Sequence, residues 1–516
     1  MSSDMYLLGI DLGTMGVKSV IFRTDGKLMG GFYRGYPLDS PFPGWAQQDT
    51  SLWWTETCTT IKESLSQSKI DPDSIVGIGC CGQSHGPSPL DKSGTFIGPC
   101  ITWVDQRSTE QVNWVLENVT QEKVLKINQS FVDNAYTAVK LIWLKENQPK
   151  LYEKTWKFLL PKDVLVYFLT GQISTDKTDA SATNMFDVWK LDWSDDLLDD
   201  YGISREKLAP VHEPQEIIGE VTSKAASETG LKAGTPVAAG GGDWACTYYG
   251  AGFVKPGRGV DMTGTVGGFN IAVKRDAAER KGVHIVPGIC GGGGGGSQAA
   301  ASIYRWFRNE FCESEVAIAE RLGMSDYQLM DQEAEKVPPG SEGVLVTPHF
   351  IGQRKPKNIN SRGLIYGLTL TTKRAQIIRA IMEGLAYEMR KGMEDARERG
   401  VPCDEIRAIG GASKSRIWRQ IKADILEVPY CKVNIDEGGC LGAGILAGVG
   451  TGLFKDLISP IESIVKVVER QVPRDEFVER YTELYKIYSK LDNTLESQKI
   501  YDEYIATLQR IDIIKS

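Results

Sequence analysis

The sequence predicts an α/β protein of two related domains, and three observations carry that reading. Its 516 residues exceed what one core usually holds, at roughly 150 residues per domain. Short apolar runs lead repeatedly into glycine turns and then into helical periodicity, which is the alternation of strand and helix. Finally, residues 9–22, GIDLGTMGVKSVIF, are echoed by residues 259–273, GVDMTGTVGGFNIAV. Each copy reads strand, Asp, Gly-Thr turn, Gly, strand, and the second stands where a duplicated domain would restart. The boundary is expected near residue 253, giving domains 1–253 and 254–516.

The elements follow in order. Residues 6–11 and 17–22 are apolar and flank the turn 13–16; Asp25-Gly26 turns the chain into another strand. Residues 50–66 have helical periodicity, and 75–81 form a short apolar run that suits a buried strand. Residues 136–147 read as a helix with Pro149 beyond its end, and 161–169 as a helix stopped by Gly171. Residues 235–239 are a strand entering Gly240-Gly241-Gly242-Asp243. The six glycines 291–296 read as a flexible connection into a helix at 297–311, with close backbone approach to a ligand as the alternative. Residues 375–399 form a long amphipathic helix stopped by Gly400, and 474–508 are polar and periodic, expected as surface helices without chemistry.

Five motifs carry candidate chemistry. In Asp11-Leu12-Gly13-Thr14-Met15-Gly16-Val17-Lys18, the glycines allow a tight turn whose N–H groups face a phosphate. The Thr14 hydroxyl can donate to a phosphate oxygen, Lys18 can offer an ammonium, and Asp11 can hold Mg²⁺. The spacing is neither GxGxxG nor GxxxxGK[ST], and the turn alone also fits an ordinary hairpin. Gly264-Thr265-Val266-Gly267 is the matching turn of the second half, with the same alternative. Asp243 follows a strand end, where sites of α/β proteins gather, and can take the proton of an acceptor hydroxyl; it also suits a helix N-cap. Gly410-Gly411-Ala412 precedes the helix 415–426, an arrangement that suits a nucleotide or merely starts a helix. Gln83, Ser84 and His85, with Trp103, Asp105 and Arg107, gather donors and acceptors for sugar hydroxyls. Surface loops with a structural Asp105–Arg107 pair are the alternative.

Together these motifs resemble the FGGY family of carbohydrate kinases from about residue 6 to about residue 454. Residues 136–144, YTAVKLIWL, are similar to the family's first signature; residues 363–368, GLIYGL, with 376–383 are similar to its second. Pro43-Gly44-Trp45 and Gln48-Asp49 are similar as well. The resemblance implies two ribonuclease-H/actin-like domains with a nucleotide and sugar cleft between them. It also implies ATP and Mg²⁺ as cofactors, a homodimer, sugar on the N-terminal domain and nucleotide on the C-terminal one. Asp243 falls on the catalytic base, which also touches substrate and metal, and Asp11 on the metal-associated aspartate. Thr14, Lys18, Gly264, Thr265, Gly410, Gly411 and Ala412 fall on phosphate and nucleotide contacts. Gln83, Ser84, His85, Trp103 and Asp105 fall on sugar contacts.

Within the family the chain most resembles xylulose kinases, whose Gln-Met-His-Gly is Gln83-Ser84-His85-Gly86 here. Residues 302–339 resemble autoinducer-2 kinases. D-Xylulose is therefore the expected acceptor, with erythritol, ribulose and dihydroxypentanedione as alternatives. An actin- or chaperone-like ATPase is the reading from another class.

The remaining composition agrees with a soluble cytoplasmic enzyme. Apolar residues make up 41% and charged residues 24%, which excludes disorder and coiled coil for the whole chain. A net charge of -8 without a dense Lys/Arg run disfavours nucleic acid. No continuous apolar stretch reaches the ~20 residues that span a bilayer, and residues 1–4 do not read as the start of a signal peptide. The 10 cysteines lack CxxC spacing and suit buried, reduced thiols; a zinc site is disfavoured with only four histidines.

Overall fold

The computed structural model describes residues 5–264, 267–274, 284–286, 289–291, 296–297, 300–353, 358–511 and 513. Its described residues form two compact units. The first gathers residues up to Val254, the strands His284–Val286 and Ile289–Gly291, and Glu437–Lys466. The second holds Lys255–Val273, the described part of 292–436, and the chain from Val467. The units thus differ from the division at residue 253 in one respect that matters below: the helix Gly438–Gly450 packs with the first unit.

The sheet of the first unit runs Ile217–Glu220, Pro236–Ala238, Ile75–Gly82, Tyr6–Leu12, Gly16–Arg23, Leu28–Gly35, with Gly241–Gly242 also paired to Ile75–Gly82. Tyr6–Leu12 is antiparallel to Gly16–Arg23 and parallel to Ile75–Gly82. Alternation along the strands sends residues to opposite faces. On one face Leu8, Ile10, Ile78 and Cys80 join Trp53 and Ile61 of helix Thr50–Ser68 and Val164 and Leu165 of helix Pro161–Thr170 in one core. On the other face Gly9 and Gly79 replace side chains. A Cβ at Gly9 would lie 1.9 Å from the Cys440 carbonyl oxygen, and one at Gly79 would lie 1.9 Å from that of Ala443. The glycine-rich helix Gly438–Gly450, GGCLGAGILAGVG, brings its backbone directly onto the strands at Gly9 and Gly79 for this reason, while Leu7, Asp11 and Cys81 pack against its own glycines.

The second unit repeats the pairing scheme. Arg258–Asp261 is antiparallel to Gly267–Val273 and parallel to Glu405–Ala408, which is parallel to Tyr430–Val433. An antiparallel strand closes each sheet beyond this point, Ile217–Glu220 in the first unit and Val467–Gln471 in the second. The echo seen in the sequence is therefore a repeated fold.

Helix Arg374–Glu398 is the spine of the second core, with helix Arg416–Leu426 beside it. Residues 474–508 do more than the sequence reading gave them. Helix Asp475–Ser497 buries Tyr481, Tyr485, Tyr488 and Asp492, and three of its rings pack around Tyr387 with centroids 5.2–6.2 Å away. Tyr481 also completes a buried triad, accepting from Arg379 at 2.9 Å and donating to Glu383 at 2.7 Å.

No helix among the described residues is long and apolar enough to cross a membrane. Cys58, Cys80, Cys81, Cys100, Cys246, Cys312, Cys403, Cys431 and Cys440 are free, and all of these but Cys403 are buried. His349, Glu388 and Asp492 bring three ligand-type atoms together in the second unit. The Lys391 ammonium already bridges that cluster, 2.5 Å from Asp492 and 3.0 Å from Glu388, so an ion-pair network fills it.

Candidate active site

The site of the first unit is built on the hairpin Asp11–Lys18. The Gly13 N–H donates to the Gly16 carbonyl at 2.9 Å and closes the turn. Strand register sets Asp11 opposite Lys18 on one neighbour and Cys81 on the other. One oxygen of Asp11, Oδ1, is buried without a hydrogen-bond partner among the described residues. Burial raises the Asp11 carboxyl above its usual range; a Cys81 hydrogen bond and Lys18 pull it back, while Glu437 adds to the rise.

Lys18 reaches Glu437 at 2.8 and 3.0 Å. Burial opposes the ammonium, yet the Glu437 contacts outweigh it and hold the lysine charged. Glu437 immediately precedes the close-packed helix Gly438–Gly450, so this pair ties the hairpin Asp11–Lys18 to that helix. The sequence reading had not assigned Glu437 a role; its only local signal is a carboxylate before two glycines.

Asp243 opens helix Asp243–Ala251, directly after the strand Gly241–Gly242. The residue keeps part of its surface exposed, but the protein around the carboxyl desolvates it. Burial first, then the charge of Asp11, push it up to about 7, against a backbone N–H bond from Trp244. A carboxyl with that pKa is suited to take a proton near neutral pH.

The expected sugar residues cluster with these groups. Trp103 donates from Nε1 to Thr14 Oγ1 at 2.8 Å, which leaves the threonine proton to donate elsewhere. Gln83 donates to Gln48 Oε1 at 2.8 Å, and Gln48 donates to the Thr14 carbonyl at 2.7 Å. The Gln83 Oε1 atom is buried without a partner. Gln48, which enters the sequence analysis only through the family resemblance, thus joins Gln83 to the Asp11–Lys18 turn. Ser84 donates to Asp179 at 2.7 Å. His85 holds a φ of 75°, contacts the Ala182 carbonyl through Nδ1, and packs edge-on to Tyr136 at 4.8 Å.

Asp105 differs from its neighbours. It is fully buried and accepts from Arg107 at 2.8–2.9 Å and from the Ala46 N–H. Arg107 lies 3.7 Å from the Trp45 ring and 5.1 Å from that of Trp143, so two residues of the family-like segments clamp it. Asp105 shapes the loop and offers no exposed oxygen to a ligand.

Gly410, Gly411 and Ala412, expected at the nucleotide, belong to the second unit. Gly410 has a φ of 82°, and nothing lies within 4 Å of a Cβ placed on Gly411. Ser415 caps the following helix, accepting from the Trp418 N–H at 3.1 Å. The Gly264 carbonyl accepts from the Ala301 N–H at 3.0 Å. Thr265 and most of the glycine run 291–296 lie outside the described residues.

The duplicated fold gives a control for Asp11. Its counterpart Asp261 accepts from Lys422 and Tyr430, each at 2.6 Å, and from Thr263. One copy is neutralised by its own fold, whereas the other keeps an unsatisfied oxygen.

Comparison with known proteins identifies the family. Residues 6–250 match the N-terminal domain of the FGGY family of carbohydrate kinases, and residues 262–451 its C-terminal domain. The chain is 31% identical to a xylulose kinase of Bacillus subtilis over 491 residues, covering 94% of this chain and 96% of that one. It is 30% identical to an autoinducer-2 kinase of Yersinia enterocolitica over 479 residues, covering 90% of each. A xylulose kinase structure from Rhodospirillum rubrum superposes with a TM-score of 0.84 at 26% identity, covering 95% of this chain and 99% of that one. The chain belongs to the FGGY family of carbohydrate kinases and is an ATP-dependent sugar kinase.

Proposed function

We propose that this kinase transfers the γ-phosphoryl group of Mg·ATP to the terminal hydroxyl of D-xylulose, forming D-xylulose 5-phosphate, with Asp243 as the general base. The observation that carries the mechanism is the Asp243 carboxyl, pushed up to about 7 by burial and by Asp11. The xylulose kinases among the relatives support the substrate.

Asp243 orients the acceptor hydroxyl and takes its proton as the new O–P bond forms. The bond from the γ-phosphorus to the β-bridging oxygen breaks, ADP leaves with the electron pair, and the proton passes from Asp243 to water. Thr14 donates to a phosphoryl oxygen through the proton that Trp103 leaves available. Lys18 supplies positive charge to the same group. Gln83 Oε1 accepts from a sugar hydroxyl, which satisfies a buried acceptor that has no partner among the described residues. Gly264, Thr265 and the turn Gly410–Ala412 serve the nucleotide.

Asp11 and Asp243 fit a divalent cation, because both carboxyls are raised by burial and Asp11 Oδ1 lacks a partner. Magnesium bound there would neutralise charge on the nucleotide phosphates.

A second acceptor, autoinducer-2, is favoured by the kinase of that name among the relatives. The test is ADP release with Mg·ATP across D-xylulose, L-xylulose, ribuloses, erythritol, glycerol and dihydroxypentanedione. Strongest turnover with D-xylulose is expected. A better response to another member overturns the substrate, and silence with all of them overturns the function.

A further inference from the structure

A buried charge cluster stands behind the sugar residues, and the mechanism above does not use it. Lys162, Asp163, Asp176 and Asp179 are all at most 1% exposed. The Lys162 ammonium contacts Asp163, lies 3.0 Å from Asp176 and 3.8 Å from Asp179 Oδ2. Four buried ionisable groups are costly unless their geometry is fixed. Here they fix two things at once.

Asp176 accepts from the Thr178 hydroxyl at 2.6 Å, and Thr178 Oγ1 accepts in turn from the Gly242 N–H at 2.9 Å. The backbone directly before Asp243 is anchored in this way. On the other branch, Asp179 Oδ1 accepts the Ser84 proton at 2.7 Å. A Cβ at Gly242 would lie 3.0 Å from Ser84 Oγ, 3.1 Å from Asp179 Oδ1 and 2.9 Å from Trp244 Nε1. Three polar atoms from three elements therefore converge beside the base.

We infer that Asp179 is a positioning residue for acceptor specificity. By taking the Ser84 proton it leaves the Ser84 oxygen as a hydrogen-bond acceptor, so this corner of the site selects a sugar that presents a hydroxyl there. The inference rests on Asp243 facing the sugar, as proposed above, and on Ser84 facing it, as the family resemblance implies. Lys162 sets the polarity, because it attracts the Asp179 oxygen that is turned away from Ser84.

Asp179→Asn tests this. In the variant Lys162 holds the new amide oxygen, and the amide NH₂ faces Ser84. The serine must then accept from that amide and turn its proton toward the sugar. Steady-state ADP release would be measured for the wild type, Asp179→Asn, Ser84→Ala and the double variant, with D-xylulose or, if that is inactive, the panel sugar the wild type uses best. A lost hydrogen bond of about 1.4 kcal/mol corresponds to a tenfold change. Each single variant is expected to raise KM for the sugar about tenfold, with kcat and KM for ATP within about twofold of wild type. The double variant is expected to be no worse than the poorer single one. A fall in kcat at unchanged sugar KM, effects that multiply in the double variant, or variants that match the wild type would each overturn the inference alone. A wild type silent with every sugar would overturn the function and the inference with it. Melting temperature would be followed in parallel, and a loss of KM selectivity that merely tracks unfolding would also count against the inference.

Discussion

Replacing Asp243 by Asn keeps the size of the side chain and removes its capacity to take a proton. In the wild type, burial and Asp11 hold that carboxyl at about 7 rather than 3.8. The deprotonated fraction is then about one half at pH 7 and roughly one tenth a unit lower. The sugar kcat/KM, which reports the free enzyme, should fall about tenfold per unit as pH drops below 7 and level off above about pH 8. Asp243→Asn should lose about 10²–10⁴-fold in kcat and lose this pH dependence. The same substitution should stabilise the fold in alkaline solution. Because the folded pKa lies above the unfolded one, the native state binds the extra proton between the two values, and its stability falls as pH rises through that window. An uncharged Asn escapes the penalty, so its gain in melting temperature is full above pH 7 and fades as pH falls toward 4. The assay is coupled ADP release across about pH 5.5 to 8.5, with thermal melts in the same buffers. A wild-type kcat/KM that is flat across that range, or an Asp243→Asn variant within about threefold of wild type, would refute the assignment of the base.

Other perturbations separate packing from chemistry. Lys18→Met should raise KM for ATP, whereas Glu437→Gln should lower it by releasing the ammonium, and a change in the same direction for both would refute the pair's role. The cost of Glu437→Gln to stability should stay below about 1 kcal/mol, because the pair is part-exposed. Gly439→Ala would bring a Cβ within 2.9 Å of Asp11 Oδ2 and should lower kcat in a folded protein, while Gly9→Ala meets the Cys440 backbone at 1.9 Å and should cost more than about 3 kcal/mol by denaturant melt. Arg379→Met leaves the buried Glu383 carboxylate without its 2.8 Å partner and should cost about 3–5 kcal/mol by the same measurement, with no change in KM for either substrate if the protein is assayed well below its melting point.

The sequence by itself determined the parts of this protein that are local in the chain. The hairpin Asp11–Lys18 was legible because turn glycines and flanking apolar runs lie within one short segment. Asp243 was legible because strand, glycines, carboxylate and helix are contiguous. The two-fold repeat of the fold was legible because both copies need the same turn chemistry. Tertiary structure decided what those residues experience. Glu437 meets Lys18 from 419 positions away, and Asp179 meets Ser84 from 95, so no local pattern announces either contact. Asp105 reads in sequence either as a ligand contact or as the structural partner of Arg107, and only the fold shows it buried against an arginine that Trp45 and Trp143 clamp. Asp11 and Asp261 share one motif, and only the fold leaves one oxygen of the first unsatisfied among the described residues while pairing the second with the Lys422 ammonium and the Tyr430 hydroxyl. The physical reason is common to all four cases. Residue type fixes which charges and hydrogen bonds a position can offer, but burial and long-range partners fix their energy, and those arise only when distant segments pack.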